Sequence, residues 1–362
     1  MTCRIRILLS SMLLLLTSST ISAKTIVEIK DDNFYINGKP TYKGQYWNNH
    51  KVEGLLLNSR MVQGIFDDLN PATVDTFAYA DTKKWDAKRN NIEFIAAMPL
   101  WKSYGLNSFS LNMQGGSPFG YGNIKCLNPG FNADGSLMNG YMKRLNKILK
   151  KADELEMVVI LGIFYFGQDQ NMKDEKSVIA ATNNLVDWLF EKKYRNVIIE
   201  INNETNKREY DHPILMPDRV HELIELVRNK KKNGYRFLVG TSYPASGFPS
   251  QKVVEISDLI LYHGNSLRTP VKFQSSLDKL KNLQGVKSMP ILINEDDNFN
   301  FKNDSCHFNL AILNHISWGY FDYRKKGVTD LNEGFQSIPV DWGINSENKK
   351  AYFEKVKAVT GK

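Results

Sequence analysis

The chain has 362 residues, of which 42% are hydrophobic, 24% charged and 11% aromatic, proportions that exclude a disordered, collagen-like or disulfide-scaffold protein. Lys and Arg outnumber Asp and Glu by 47 to 39, for a formal charge of +8, so an acidic partner has to be tested against where the charges lie. At roughly 150 residues per domain, the length fits two modest domains or one large α/β barrel with long loops.

Residues 1–23 begin with Arg4 and Arg6, continue through an apolar run from Ile7 to Leu16 and end on small residues at Ala23. That run is too short to cross a bilayer, and the three-part pattern reads as a secretory signal peptide. The expected mature chain, 24–362, is secreted or periplasmic and contains no second run approaching ~18 apolar residues, hence no membrane span after signal removal. Removing 1–23 takes away two arginines and no acidic residue, which lowers the charge to +6.

Beyond the signal, Thr25–Lys30 and Asn33–Gly38 alternate apolar and polar residues around Asp31 and Asp32, which predicts a short β-hairpin. Eight β-rich runs follow: Thr41 to Tyr46, Ser108 to Asn112, Met157 to Ile163, Val197 to Asn202, Phe237 to Thr241, Leu259 to Tyr262, Ile291 to Asn294 and Ile316 to Phe321. Between and after them, apolar residues at three- and four-residue spacing predict helices over 90–104, 140–155, 176–191, 217–230, 275–283, 305–313 and 345–356. The run from Met157 is apolar on both faces, as a parallel strand covered by helices requires. Strands alternating with helices, without a linker or repeat, predict a single α/β domain, a (β/α)8 TIM barrel with long βα loops. An open doubly wound sheet is the runner-up, but no Gly-x-Gly-x-x-Gly follows the first strand. The stretch Trp47 to Lys88 reads as a long first βα loop walling one side of the mouth. The lysines of 143–151 and 228–232 fall on helices of the outer ring, which argues for a solvated exterior and against a nucleic-acid substrate.

After the signal, two cysteines remain, Cys126 and Cys306, and six scattered histidines. Pairing of Cys126 with Cys306 and a pair of free thiols are both open. No Cys/His cluster has metal-ligand spacing, and no metal or cofactor is called for. Gln114-Gly-Gly-Ser-Pro lacks the Lys-Ser/Thr of a phosphate loop and reads as a turn.

The chemistry lies at two strand ends. The fourth strand finishes in Asn203-Glu204 and the seventh in Asn294-Glu295, so two carboxylates reach the same rim. Facing carboxylates are the minimum apparatus for glycoside hydrolysis, one protonating the leaving oxygen while the other attacks the anomeric carbon or activates water. Glu200, two strand residues below Asn202, is expected to be a buried, paired structural carboxylate, and Asp296 and Asp297 compete with Glu295 for the second role.

With its signal peptide, its Asn33-Phe-Tyr-Ile-Asn-Gly-Lys-Pro opening and its two Glu-bearing strand ends, the chain resembles glycoside hydrolase clan A, and within it the cellulase-like enzymes around family 5. The resemblance implies a retaining β-glycosidase acting on a glucan-like oligo- or polysaccharide, with Glu204 as acid/base, Glu295 as nucleophile and Asn203 holding the substrate 2-hydroxyl. It further implies substrate contacts from Tyr262 and His263 at the sixth strand end, sugar stacking by Trp318, and cleft positions for Asn112, Trp47, Tyr165, Phe166, Gln168 and Asp169. Two departures stand out: Thr205 follows the acid/base where family 5 enzymes often have Pro, and the second strand offers no Arg, leaving Arg60 or Arg268 to supply that cation. The alternative is a carbohydrate-binding barrel without turnover.

Overall fold

The computed structural model describes residues 24–119, 125–245, 247–324 and 332–362; the expected signal peptide at 1–23 lies outside them. Among the described residues, eight parallel strands form the barrel: β1 (Asn58–Arg60), β2 (Ser108–Asn112), β3 (Val158–Phe164), β4 (Val197–Asn202), β5 (Leu238–Gly240, resuming at Ser242–Tyr243), β6 (Ile260–His263), β7 (Ile291–Glu295) and β8 (Gly319–Tyr320). Neighbours pair in order from β1 through β7, and β8 pairs back onto β1 through Gly319 opposite Asn58. The ladder is thinnest at two places: β5 is broken at Thr241, and β7 meets β8 only through bridges at Leu292–Ser317 and Asp296–Tyr320.

Eight helices form the outer ring: α1 (Ala87–Ser103), α2 (Asn139–Glu154), α3 (Glu175–Glu191), α4 (Val220–Asn229), α5 (Gln251–Ile256), α6 (Pro270–Lys281), α7 (His307–Leu313) and α8 (Glu347–Thr360). Their starts are written locally: Asp86 accepts from the backbone N–H groups of Lys88 and Arg89, Asp174 from that of Ser177 and Ser346 from that of Lys349, each satisfying donors that a first turn leaves without partners. On α2, Leu145, Ile148 and Leu149 are buried while Lys143, Lys147 and Lys150 stand exposed, so this basic cluster faces solvent as expected.

The period of two along the strands separates two cores. On β3, Val159 and Leu161 join the large core beneath the helices, whereas Val158 and Ile160 point into the barrel with Ile198, Leu261 and Leu292. The N-terminal hairpin, Val27–Lys30 against Asn33–Ile36, closes this inner cluster from below, with Val27 and Phe34 packed into it. Above that apolar floor the interior becomes polar: Arg60, Ser110, Asn112, Glu200 and Asn294 are all buried. A dry base and a polar upper layer place the chemistry at the C-terminal mouth.

One expectation needs correction, and one helix has no counterpart in the sequence pattern. The first barrel strand is not Thr41 to Tyr46; it is the three-residue Asn58–Arg60, which lies inside the stretch read as a loop. Its side chains are polar because they serve the polar upper barrel, so it carries no apolar strand signature. The 41–51 region instead forms a surface hairpin, Tyr46–Trp47 against His50–Lys51. The six-residue α5 is too short to leave a periodic signal. Cys126 and Cys306 are both buried and not joined by a disulfide. Among the described residues, no helix is long and apolar enough to cross a membrane.

Candidate active site

A cavity of about 300 Å3 opens at the C-terminal ends of the strands. Each wall follows a strand: Ser117 after β2, Tyr165 and Phe166 after β3, Asn203, Glu204 and Lys207 after β4, Asn265 after β6, Glu295 at the end of β7, and Phe321 and Gln336 after β8. A larger cavity of about 580 Å3 lies further along two of these loops, walled by Gly167, Gln168 and Glu209 among others. It holds a single carboxylate, so paired-acid chemistry belongs to the smaller one.

Glu204 leaves β4 with φ at 51°, in the left-handed region where a residue with a Cβ is strained by roughly 1–2 kcal/mol. Several bonds hold it there. Ser242 Oγ accepts from Glu204 N at 2.9 Å, Ser242 O accepts from Thr205 N at 3.0 Å, and Tyr210 Oη donates to Asn203 O at 2.6 Å. The turn lifts the carboxylate to the cavity wall with only 6% of the residue exposed. Thr205, where a Pro was the alternative, is locked by its hydroxyl donating to Leu215 O at 2.7 Å.

Glu295 faces it from β7. Arg60 Nε lies 2.5 Å from Glu295 Oε2, Asn265 Nδ2 donates to Glu295 Oε1 at 2.5 Å, and Asp297 N donates to Asn265 Oδ1 at 3.0 Å, which fixes the amide's orientation. Arg60 also donates from Nη2 to Asn203 Oδ1 at 2.8 Å, so one guanidinium from β1 ties the residues after β4 to β7 and leaves Asn203 Nδ2 as the donor for a ligand. His263 lies between the acids, its Nδ1 3.0 Å from Glu204 Oε1 and 3.6 Å from Glu295 Oε2. One oxygen of each carboxylate and a ring nitrogen of His263 lie within 4.8 Å of one another. That donor set has the makings of a cation site, but one oxygen of each carboxylate is already held in an ion pair, by Arg60 and by Lys207.

The two acids are driven apart in proton affinity. Burial opposes ionisation of Glu204, but the hydrogen bond and charge of His263, together with Lys207, outweigh it and hold the carboxyl down to about 2. Burial pushes the Glu295 carboxyl up; Arg60 and His263 pull against this, and the charge on Glu204 adds to it. The His263 imidazole is raised despite its burial because both carboxylates favour the protonated ring. With the side chains so arranged, the more acidic member is Glu204.

Arg60 is fully buried and its charge is compensated inside the barrel. Arg60→Met should destabilise the fold by about 3–5 kcal/mol, because it leaves a carboxylate buried without its cation. Urea unfolding followed by circular dichroism measures this, and an unchanged midpoint would show that the ion pair adds nothing.

Of the other residues singled out by sequence, Asn203, His263, Tyr165 and Phe166 are brought to the acids, with Tyr165 Oη bonded to Ser117 Oγ at 2.8 Å. Asn112 lies lower in the barrel against Gly162, where a Cβ would come within 2.1 Å of Asn112 Oδ1. Glu200 is buried as expected and accepts from Asn294 Nδ2 at 3.3 Å; it forms no ion pair among the described residues. Three placements correct the sequence reading. Trp318 is fully buried in the core, its Nε1 donating to Asp296 Oδ2 at 2.9 Å, so it presents no face to the cavity. Tyr262 turns outward to stack on Phe248 and donates to Ala245 O at 2.8 Å. Trp47 precedes β1 and lies under Lys355 of α8, away from the mouth. Gln168 lines the neighbouring cavity, and Asp169 caps the backbone of Asp211 at 2.8 Å. Asp296 is taken up by His307 and Trp318, and Asp297 by Arg268, so neither competes with Glu295.

Asn265, Lys207, Ser117, Phe321 and Gln336 escaped sequence reading. Two of them left a trace: Asn265 sits two residues beyond His263 across Gly264, where a Cβ would meet Asp296 Oδ2 at 2.2 Å, and Lys207 stands three residues after Glu204, the spacing of a turn ion pair.

No protein-family model and no curated protein matches the sequence. Solved structures do match its fold. An endo-1,4-beta-mannanase from Rhizomucor miehei superposes with a TM-score of 0.57 at 10% identity, over 93% of this chain and 99% of that one. A GH5-4 broad specificity endoglucanase from Ruminococcus flavefaciens gives 0.55 at 13%, over 84% and 96%. A glycoside hydrolase family 5 protein from Bacteroides vulgatus gives 0.54 at 13%, over 93% and 71%. At these identities the likeness is one of fold.

Proposed function

We propose that the chain is an exported retaining glycoside hydrolase that cleaves β-linked glucan- or mannan-like chains by double displacement. The observation that carries this is the separation of the acids: one oxygen of each carboxylate within 4.8 Å of the other suits the ~5–5.5 Å of retaining enzymes better than the ~6.5–9.5 Å of inverting ones. Glu295 attacks the anomeric carbon while Glu204 gives its proton to the departing glycosidic oxygen. Glu204 then takes a proton from water, which attacks the glycosyl ester and frees Glu295. Arg60 and Asn265 hold Glu295 in line, and Asn203 Nδ2 is placed for the 2-hydroxyl. The solved structures of like fold, named for mannanase and endoglucanase activities, support the substrate class.

The test is proton NMR of the anomers released from β-glucan, mannan, xylan and β-galactan by the purified protein. The β-anomer should appear first and mutarotate. An α-anomer as first product would reject double displacement. A second reading, a carbohydrate-binding barrel without turnover, draws on the ion pair between Lys207 and Glu204, which occupies an oxygen that an acid needs. It predicts oligosaccharide binding by calorimetry with no reducing ends released.

A further inference from the structure

The turn after Glu204 carries a cation into the cavity. Lys207 Nζ is 2.9 Å from Glu204 Oε2, while the other oxygen, Oε1, is held by His263 at 3.0 Å. Oε2 therefore faces an ammonium, which can only donate, so that oxygen is not in a position to carry a proton to a leaving group. The groups around Glu204 come from every side: Lys207 from its own turn, His263 from β6, Glu295 from β7, Arg60 from β1 and Tyr165 after β3. Of the three cations, Arg60 and His263 are fully buried on strands. Lys207 alone stands on a loop, its side chain 36% exposed and its ammonium 5.4 Å from the centre of the Phe166 ring. It is the one that can swing away.

We infer that Lys207 is an electrostatic latch on Glu204, holding it as a carboxylate in the empty cavity until a bound substrate draws the ammonium aside. This rests on the glycosidase reading, and makes Lys207 a positioning residue for its acid. Lys207 adds to the larger effect of His263 in making Glu204 the more acidic member of the pair. Double displacement needs the proton on Glu204 and the charge on Glu295 beside Arg60; with Lys207 in place, the ammonium favours the opposite distribution. A sugar hydroxyl or carboxylate that takes over the ammonium releases Glu204 Oε2, and the proton then belongs where the leaving oxygen can receive it. Substrate binding thus arms the acid.

The sign follows from the charge. Lys207 favours the ionised acid, so its removal raises the proton affinity of Glu204. With Glu204 the more acidic of the pair, the acid limb of kcat/KM reports its ionisation in the free enzyme, and that limb then moves to higher pH.

The test uses the full chain labelled with 13C at the glutamate carboxyls, the Glu204 signal being assigned by its loss in Glu204→Gln. In Lys207→Met, protonation of Glu204 on acidification should begin about one pH unit or more higher than in the wild type, the scale of an opposite charge at ion-pair distance. Lys207→Arg, which keeps the charge, should follow the wild type. The acid limb of kcat/KM on a β-glucan or mannan should rise by a similar amount in Lys207→Met only. An unmoved carbon titration, or an acid limb that stays in place, overturns the latch; a merely structural lysine would lower stability and rate without moving either. Turnover lacking in the wild type on every polysaccharide would reject the glycosidase reading, while the carbon titration still decides whether Lys207 holds Glu204 ionised.

Discussion

Glu295→Gln should lower kcat on the true polysaccharide by roughly four orders of magnitude or more, about 5 kcal/mol in activation free energy. The amide keeps the shape of the side chain but not the nucleophilic oxygen, so no glycosyl ester forms. The substitution also leaves Arg60 buried without its counter-charge, and some loss of stability is expected with it. Glu295→Asp separates the two effects. It retains the charge beside Arg60 but withdraws the carboxylate by one methylene, so the fold should keep its unfolding midpoint while the rate still falls at least about 100-fold. An activated fluorosugar that glycosylates the wild type, losing its leaving group, should label Glu295 in a peptide digest and leave both variants unlabelled. Unchanged turnover in Glu295→Gln, or a label on Asp296 or Asp297, would remove Glu295 from its role.

Glu204→Ala should separate substrates by leaving group. On a polysaccharide, whose departing alkoxide needs a proton, the rate should fall by about 10^2–10^4-fold, the usual contribution of a positioned acid. On an aryl glycoside with an acidic phenol, bond cleavage proceeds without that help, so a burst of phenol should precede slow hydrolysis of the trapped ester. Azide needs no general base; entering the space left by the carboxylate, it should restore turnover and yield a β-glycosyl azide. Equal losses on both substrates, or no azide product, would place the acid elsewhere. His263 and Lys207 lose their shared carboxylate in this variant, so the rescue also checks that the cavity keeps its form.

The barrel was legible because its strands alternate with amphipathic helices, and the two acids because each ends a strand next to an Asn. Arg60 marks where that legibility stops. Its strand is three polar residues long, and its value depends on a partner 235 positions away, which no local pattern encodes. Trp318 failed for a related reason. An aromatic near the end of β8 stacks on sugar only if it faces the mouth, and the face is decided by where the strand begins; here β8 starts at Gly319, and the indole belongs to the outer core with Phe308 and Tyr352. Phe321, three residues on, reaches the cavity instead. Lys207 was readable as a turn lysine, but its pairing with Glu204 depends on the left-handed backbone at Glu204, which a Glu-Thr-Asn-Lys string does not announce.

The Arg60 clamp also bears on the order in which the chain assembles. Arg60 belongs to the first strand and Glu295 to the seventh, so during synthesis the guanidinium emerges long before the carboxylate that neutralises it. Burying it earlier would confine an unpaired charge, so β1 has reason to stay hydrated until β7 arrives and β8 can pair with it. The contact that aligns the reacting groups is thus also among the most distant in sequence, and ring closure with it is the slow, late kind of event that long-range pairing implies. Partially built chains carry Arg60 and the turn after β4 but not Glu295, and the facing carboxylates are complete only with the finished ring.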